Sequence, residues 1–351
     1  MNKGTGTSSL HPRCLQISQV HKDTLHFLFL AKHALGSGLP DAEDGNHAVY
    51  HYDILQKLRG IGLRVTPANT FEALYGKPDF DFLITLFNRA GFRNSEMFAP
   101  LFGEYHRIPY LGGSPIVRGV SDDKHVTKRI VQALGIATLP WKYYPMGGLD
   151  NAAPEFGPDF HDHAFIVKPN ASSGSWGVRQ LACRNEAARH IAELHGQGHD
   201  VIVEPCIDGA DFAVPVIGAR KPWMLPIIQY QYAQGNMRTY EQKRGLLHEH
   251  TPTECVTLND ARLEQRFHPP CRQIIAEFWP FDHARIEFRV DKRTGQAYFI
   301  EINLNCNLAA DKAIAVSAAS LGVSHEQLIE TVICNSLLRQ GVISEVATIA
   351  A

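Results

Sequence analysis

The stretch that decides the fold is ARIEFRVDKRTGQAYFIEIN, residues Ala284 to Asn303. Both of its flanks alternate apolar and polar residues with period two, the pattern of strands that bury one face. On the first flank Ile286, Phe288 and Val290 share a face, and Arg285, Glu287 and Arg289 share the other. On the second, Tyr298, Ile300 and Ile302 form the apolar face, opposite Phe299, Glu301 and Asn303. A three-residue loop, Arg293-Thr294-Gly295, with glycine in the left-handed position, closes the hairpin and sets Lys292 opposite Gln296. Followed outward, that register places Glu287 across from Glu301 and Arg285 across from Asn303, with Cβ atoms about 5 Å apart. Two carboxylates so placed repel one another. Either one of them is protonated or a cation binds between them. Carboxylate and amide oxygens suit a hard ion, and magnesium on nucleotide phosphates takes one or two carboxylates. Glu287, Glu301 and Asn303 are therefore metal candidates; the alternative is a solvated face neutralised by Arg285 and Arg289.

Working upstream, a strand over Ala164 to Val167 ends in Lys168-Pro169 and a small-residue loop, Asn170 to Gly177. A lysine beside a loop of backbone donors can wrap phosphates. The G-x-x-x-x-G-K-[ST] phosphate loop is absent, and a plain flexible loop is the alternative. Val201 to Glu204 and Asp211 to Ile217 read as further strands about a turn at Asp208-Gly209. Near Ile108 to Pro115 the run IPYLGGSP gathers glycine and proline and marks a domain boundary. A helix opened by Ser121 or Asp122 follows, with Val126, Ile130 and Leu134 as its buried stripe and Lys124 and Lys128 on another side. The first third, with apolar runs Leu25 to Ala31 and Phe82 to Phe87 around a helix at His47 to Leu58, reads as a small α/β layer. Residues 219–270 read as loops with short strands, a helix resumes at Cys271 to Phe278, and Ser324 with Gln327 forms a capping box for the last helix. Residues 1–13 read as a flexible leader.

The whole chain limits the choices. Its 351 residues with 44% apolar content supply a sizeable core. A formal charge of -2 provides no global field for nucleic acid or anionic lipid, which favours small-molecule partners. Seven scattered cysteines without a C-x-x-C pair suit reduced thiols in a cytoplasm. No apolar run is long enough to span a bilayer, so no membrane role is expected.

Taken in order, these segments resemble the D-alanine:D-alanine ligase branch of the ATP-grasp superfamily over about two thirds of the chain. The resemblance implies an α/β fold, α+β in the ATP-binding part, with an N-terminal Rossmann-like domain (14–115), a central grasping subdomain (116–205, lid loop 170–177) and a C-terminal one (206–351, metal hairpin 284–303). SDDKHVTKRIVQALGI matches its first phosphate lysine at Lys124, and FIVKPNASSGSWGV matches the second at Lys168 with Ser175 over the phosphates. VIVEPCIDGADF places Glu204 to Ile207 at adenine, with the Pro205 carbonyl as acceptor and the Ile207 amide as donor, and Asp211 on the ribose. YEQKRG assigns Lys243 to the γ-phosphate, and Arg285, Glu287, Glu301 and Asn303 fall on the family's arginine and metal ligands. The implied cofactors are ATP with one or two magnesium ions, manganese being an alternative, and homodimers are common in the family. The implied reaction forms an acyl phosphate from a carboxylate and ATP, after which an amine displaces phosphate to give an amide. Arg285, Lys243 and Ser175 would carry the transfer, and closure of the lid would exclude water.

The sequence departs from the family in its substrate motifs. Asn305-Cys306-Asn307-Leu308 stands where a proline-glycine ending is usual, and Ala309-Ala310-Asp311-Lys312 replaces a hydroxyl-bearing stretch. Arg244 takes the place of a residue near the acceptor pocket, and NRAGFRNSEMF lacks the family's histidine-glycine and glutamate-aspartate-glycine pattern. An acid and an amine other than two D-alanines are expected, with Lys312, Arg244 or Arg93 on a substrate carboxylate and Glu43 or Asp44 on an ammonium. An acyl-phosphate-forming kinase and an inactive nucleotide-binding regulator are the other functions considered. His161-Asp162-His163 and His248-Glu249-His250 could ligate a transition metal but read as loop histidines, and Cys306 reads as a packing residue rather than a nucleophile.

Overall fold

The structure, a computed structural model, describes residues 11–76, 79–87, 92, 94–148, 154–157, 160, 164–232, 243–246 and 253–346. Three sheets organise them. In the first, β1 (His26–Leu30), β2 (Arg64–Ala68) and β3 (Phe82–Thr85) are parallel in the order β2-β1-β3. Parallel neighbours need a crossover, which the expected helix supplies over Asn46–Gly60. The second sheet is antiparallel, ordered β4-β7-β5-β6, from β4 (Lys142–Tyr144), β5 (Phe165–Pro169), β6 (Arg179–Leu181) and β7 (Val201–Pro205). The third contains β8 (Gly209–Ile217), β9 (Trp223–Met224), β10 (Ile227–Tyr232), β11 (Thr253–Leu258), β12 (His283–Asp291) and β13 (Ala297–Asn303). Its order is β11-β10-β8-β12-β13, with β9 beside β8.

The helices, in chain order, are α1 (Gln19–Thr24), α2 (Asn46–Gly60), α3 (Phe98–His106), α4 (Pro115–Asp122), α5 (Lys124–Ala133), α6 (Arg184–Gly196), α7 (Ala261–Phe278), α8 (Ala313–Ala319) and α9 (His325–Arg339). Each sheet packs against helices. Ala187, Ile191 and Leu194 of α6 pack with Val167 and Val203 of the second sheet. Phe267, Cys271, Ile274 and Phe278 of α7 join Val214, Ile286 and Phe288 of the third. Ile314 of α8 and Leu328 and Ile333 of α9 enter the core of the first sheet, beside Phe27 and Phe82. The capping box of α9 forms as expected, with both Ser324 and Gln327 in place.

The hairpin register matches the expectation at the metal end and departs from it at the loop. Arg285 pairs with Asn303 and Glu287 with Glu301, but beyond a bulge Phe288 pairs with Phe299 and Val290 with Ala297. Asp291, rather than Lys292, then stands opposite Gln296, and its carboxylate accepts from the amides of Arg293 and Thr294. The Asp291 cap lengthens the loop by one residue, and the bulge at Ile300 absorbs the difference. The bulge also reverses the facing of β13. Phe299, expected beside Glu301, is fully buried in the α7 core, 6.1 Å from the Phe288 ring, while Ile300 turns toward the cavity.

Two helices also differ from expectation. α5 is capped by Asp123, whose carboxylate accepts from the Val126 amide at 2.8 Å, and Val126 is exposed while Lys128 is fully buried. The expected stripe is displaced because buried Lys128 finds an ion partner in Glu204. The helix expected from Cys271 begins at Ala261, with Pro269 and Pro270 inside it. Residues 11–13 are packed rather than loose: His11 stacks on Trp223 at 4.9 Å, and Arg13 lies over the same ring. Phe299→Ala should cost about 3–5 kcal/mol in urea unfolding and Ile300→Ala less than half of that. A larger loss at Ile300 would contradict the bulge.

Candidate active site

A cavity of about 610 Å³ lies between the second and third sheets, with residues of α2 also in its lining, and is within the range of small-ligand sites. Lys168 reaches it from the end of β5, Lys124 from the first turn of α5, and Glu287 and Glu301 from the paired strands β12 and β13. The 170–177 loop covers one side. Lys124 Nζ donates to the Ser172 carbonyl at 2.9 Å and lies 3.8 Å from Glu301. Ser175 has φ of 63°, the left-handed region that non-glycine residues rarely occupy, between Gly174 and Gly177 at 68° and 71°. In this conformation its Oγ accepts from Lys243 Nζ at 2.5 Å.

The opposed carboxyls are shifted in opposite directions. Burial raises the Glu287 carboxyl, Arg285 draws it down through a direct hydrogen bond, and the Glu301 charge raises it again. Burial also acts on Glu301, but Lys124, the Asn303 amide donating at 3.0 Å, Lys168 and Lys243 outweigh it and hold its carboxyl at about 2. Two acids and an amide so arranged form an all-oxygen donor set. A hard dication fits it, since it would offset the repulsion between the two paired carboxyls.

At the other end of the cavity Pro205 and Ile207 line the wall where β7 gives way to β8. The Ile207 carbonyl accepts from Arg289 Nε at 3.1 Å. Asp211 is held by Arg289 at 2.7 Å and by the Tyr232 hydroxyl at 2.6 Å. Glu204 does not offer a free carboxylate. It is 2% exposed and sits between Lys128 and Lys168, each at 2.5 Å, so only its backbone can serve a ligand there. Burial pushes its carboxyl up, yet the two lysines hold it at about 2.

The expected substrate residues separate. Arg244, 6% exposed, and Lys312, paired with Asp311 at 2.5 Å, both line the cavity. Glu43 does not: it is exposed and outside the lining. Asp44 is buried outside the cavity lining, and its Oδ2 is bonded to both Lys32 and His33. Arg93, His161 to His163 and His248 to His250 lie outside the described residues. Cys306 is buried, and burial pushes its thiol up to about 12, which suits packing and not nucleophilic attack.

The sequence reading missed Lys128, Arg289, Tyr232, Glu96 and Asp122. Lys128 was signalled by its i+4 spacing from Lys124, and Arg289 by its alternation with Arg285 and Glu287. Glu96 and Asp122 carry no spacing signal, because separate segments bring them into the lining.

Fold and site together define the ATP-grasp class: two grasping sheets, a lysine from the second and arginines from the third, and a carboxylate hairpin. A family model described as D-ala D-ala ligase C-terminus matches residues 130–334, more than half of the chain, and the chain belongs to that family. The D-alanine--D-alanine ligase of Aquifex aeolicus is 26% identical over 289 residues, covering 82% of this chain and 89% of that protein. An uncharacterized protein, y4sG, of Sinorhizobium fredii is 28% identical over 243 residues, covering 67% of this chain and 68% of that one. Among solved structures, the D-alanine--D-alanine ligase from Bacillus anthracis complexed with ATP superposes with a TM-score of 0.69 at 19% identity, covering 91% of this chain and 99% of that one. D-alanyl-alanine synthetase A from Vibrio cholerae gives 0.67 at 17% identity, covering 89% and 98%. The chain is an ATP-grasp ligase that forms carbon-nitrogen bonds; its homologues use ATP and a divalent metal and act on small molecules. Among the described residues no helix is long and apolar enough to cross a membrane.

The Glu204 cluster yields a stability test. Its carboxyl lies below the usual 4.5, so its stabilisation is complete above about pH 4.5 and fades as pH falls toward about 2. Lys128→Ala should cost about 3 kcal/mol in urea unfolding at pH 7, and Lys128→Met with Glu204→Gln should recover part of the loss. A neutral Lys128→Ala would show that the pair is not buried.

Proposed function

We propose that the chain joins a small carboxylic acid to an amine through an acyl phosphate, with Mg-ATP, and that its substrates are not two molecules of D-alanine. The observation that supports this choice is the pair of cations that the cavity lining adds to the phosphate lysines: Arg244, whose guanidinium lies against Gly174 of the 170–177 loop, and Lys312, which follows the Asn305 to Asp311 segment. Either suits a substrate carboxylate, because a guanidinium and an ammonium both donate charged hydrogen bonds to it. Lys124 and Lys168 would hold the nucleotide phosphates, the Pro205 carbonyl and Ile207 amide the adenine, and Asp211 with Tyr232 the ribose. Glu287, Glu301 and Asn303 would hold the metal, which when bound neutralises charge on the transferring phosphoryl group. Lys243 and Arg285 add positive charge where the phosphoryl group moves. Ser175, held by Lys243, fixes the loop that excludes water. The amine then attacks the acyl carbon, the bond to phosphate oxygen breaks, and inorganic phosphate leaves. All seven cysteines are free, which accords with a reducing cytoplasm, and a homodimer is the assembly that goes with this family.

The test is ADP release with a panel of acids, with and without amino-acid acceptors, D-alanine included. The best pair should exceed D-alanine with D-alanine at least 10-fold, a difference of about 1.4 kcal/mol in transition-state binding. D-alanine as the best pair would overturn the substrate reading. ADP without amide would support the kinase, and no ADP with any pair the inactive regulator. Glu301→Gln should weaken Mn2+ binding, followed by electron paramagnetic resonance, by roughly 10- to 100-fold or more. Glu43→Ala should leave it unaltered. Lys312→Ala should raise the Michaelis constant of one substrate about 10-fold, and unchanged constants for both would remove Lys312 from the site.

A further inference from the structure

Glu96 lies in the short turn Ser95–Met97, immediately before α3. Met97 packs against Gly119 of α4 so closely that a Cβ there would meet its sulfur at 2.4 Å. This contact seats the turn on α4, whose last residue is Asp122. Glu96 and Asp122 both line the cavity, beside Lys124 and Glu301. Glu96 is 8% exposed and, among the described residues, has no hydrogen bond or ion pair. Arg118, fully buried nearby, does not close on it: one nitrogen donates to the Leu111 carbonyl and the other two have no hydrogen-bond partner. An unpaired buried carboxylate is costly, and both groups register that cost. Burial, then the Asp122 charge, pushes the Glu96 carboxyl well up, and burial with Asp123 and Glu301 raises Asp122 to about 6 despite Lys124. Asp44 provides the contrast, since its buried carboxylate is already closed by Lys32 and His33.

We propose that Glu96 and Asp122 form the subsite that receives the protonated nitrogen of the amine substrate; one of the two carboxylates takes the ammonium proton before attack, and the second proton lost from nitrogen leaves with the inorganic phosphate. The proposal rests on the ligase reading above, and it assigns the second half of the substrate pair to a place in the cavity. An ammonium suits the arrangement better than a second metal ion. Among the described residues only His33, Asp41 and Asp44 bring three ligand atoms within 4.8 Å of one another, so Glu96, Asp122 and Glu301 are too widely spread for one small dication. An ammonium has three hydrogens that reach separate acceptors, and these two acids offer them on one wall of the cavity. Arg244 and Lys312 take anionic groups elsewhere in the same cavity, so charge alone would orient the amine substrate.

Glu96→Gln and Asp122→Asn keep shape and remove charge. Each should raise the Michaelis constant of the best amine about 10- to 100-fold, the effect of losing a charged hydrogen bond. The ratio of amide to hydroxamate, with hydroxylamine as an uncharged competing nucleophile, should fall at least 10-fold. Saturation-transfer NMR with glycinamide should show binding to the wild type and a signal at least 10-fold weaker in Glu96→Gln. Amine constants within twofold of wild type, with only a shift in melting temperature, would make Glu96 a structural residue and overturn the proposal. So would loss of a bound Mn2+ in Glu96→Gln, or no glycinamide signal in the wild type. If no acid and amine pair releases ADP, the ligase reading fails, while the glycinamide signal still decides the subsite.

Discussion

Two carboxylates facing each other across an antiparallel pair are the constraint on which the rest of the site depends. Glu287 and Glu301 occupy directly paired positions, where like charges destabilise a sheet. The surrounding structure manages that repulsion rather than removing it. Arg285 holds Glu287 from the same strand, and Asn303 and Lys124 hold Glu301 from the partner strand and from α5. The bulge beside the pair then lets β13 bury Phe299 without moving Glu301 off its position. A hairpin of unbroken alternation would have placed a large aromatic ring among the carboxylates. The bulge therefore separates the core requirement of β13 from its ligand requirement.

A second electrostatic anchor joins the grasping halves. Glu204 at the end of β7 binds Lys168 of β5 and Lys128 of α5 together, and α5 itself also packs on the third sheet. One carboxylate thus positions a phosphate-facing lysine and ties the helix carrying Lys124 to the strand carrying Lys168. Removing either lysine would leave a buried charge only half balanced, which is why the cluster governs geometry as well as stability. Glu204 had been assigned to the nucleotide from its sequence context. Its side chain is instead taken up by Lys128 and Lys168.

Much of this was legible in the sequence because alternation in strands is a strict rule. Period two put Glu287 and Glu301 on one face and paired them correctly. The same rule misplaced Phe299, since a one-residue bulge flips every side chain beyond it and leaves no mark in the pattern. Helix α5 misled for a different reason. Lysines read as surface residues, so Val126 was chosen for the buried stripe over Lys128, whose partner Glu204 is distant in sequence. The prolines of α7 read as a stop, although Phe267, Cys271, Ile274 and Phe278 keep a helical period through them. Glu96 and Asp122 were invisible because nothing local distinguishes a buried acid from an exposed one.

The charge inventory of the cavity explains why a divalent metal belongs to the reaction. Among the described residues seven cationic side chains line it: Lys124, Lys168, Lys243, Arg244, Arg285, Arg289 and Lys312. Eight carboxyls among the described residues line it as well: Asp53, Glu96, Asp122, Glu204, Asp211, Glu287, Glu301 and Asp311. Several of the cations are already paired, Lys168 with Glu204 and Arg289 with Asp211 among them. A triphosphate entering so nearly balanced a site would bring negative charge that the protein alone does not offset. On the proposed reading, a metal held by Glu287 and Glu301 would supply the missing charge at the phosphates and relieve the carboxylate repulsion at the same time. The opposed acids would then disfavour free nucleotide and favour its metal complex, so that metal and nucleotide would favour each other's binding.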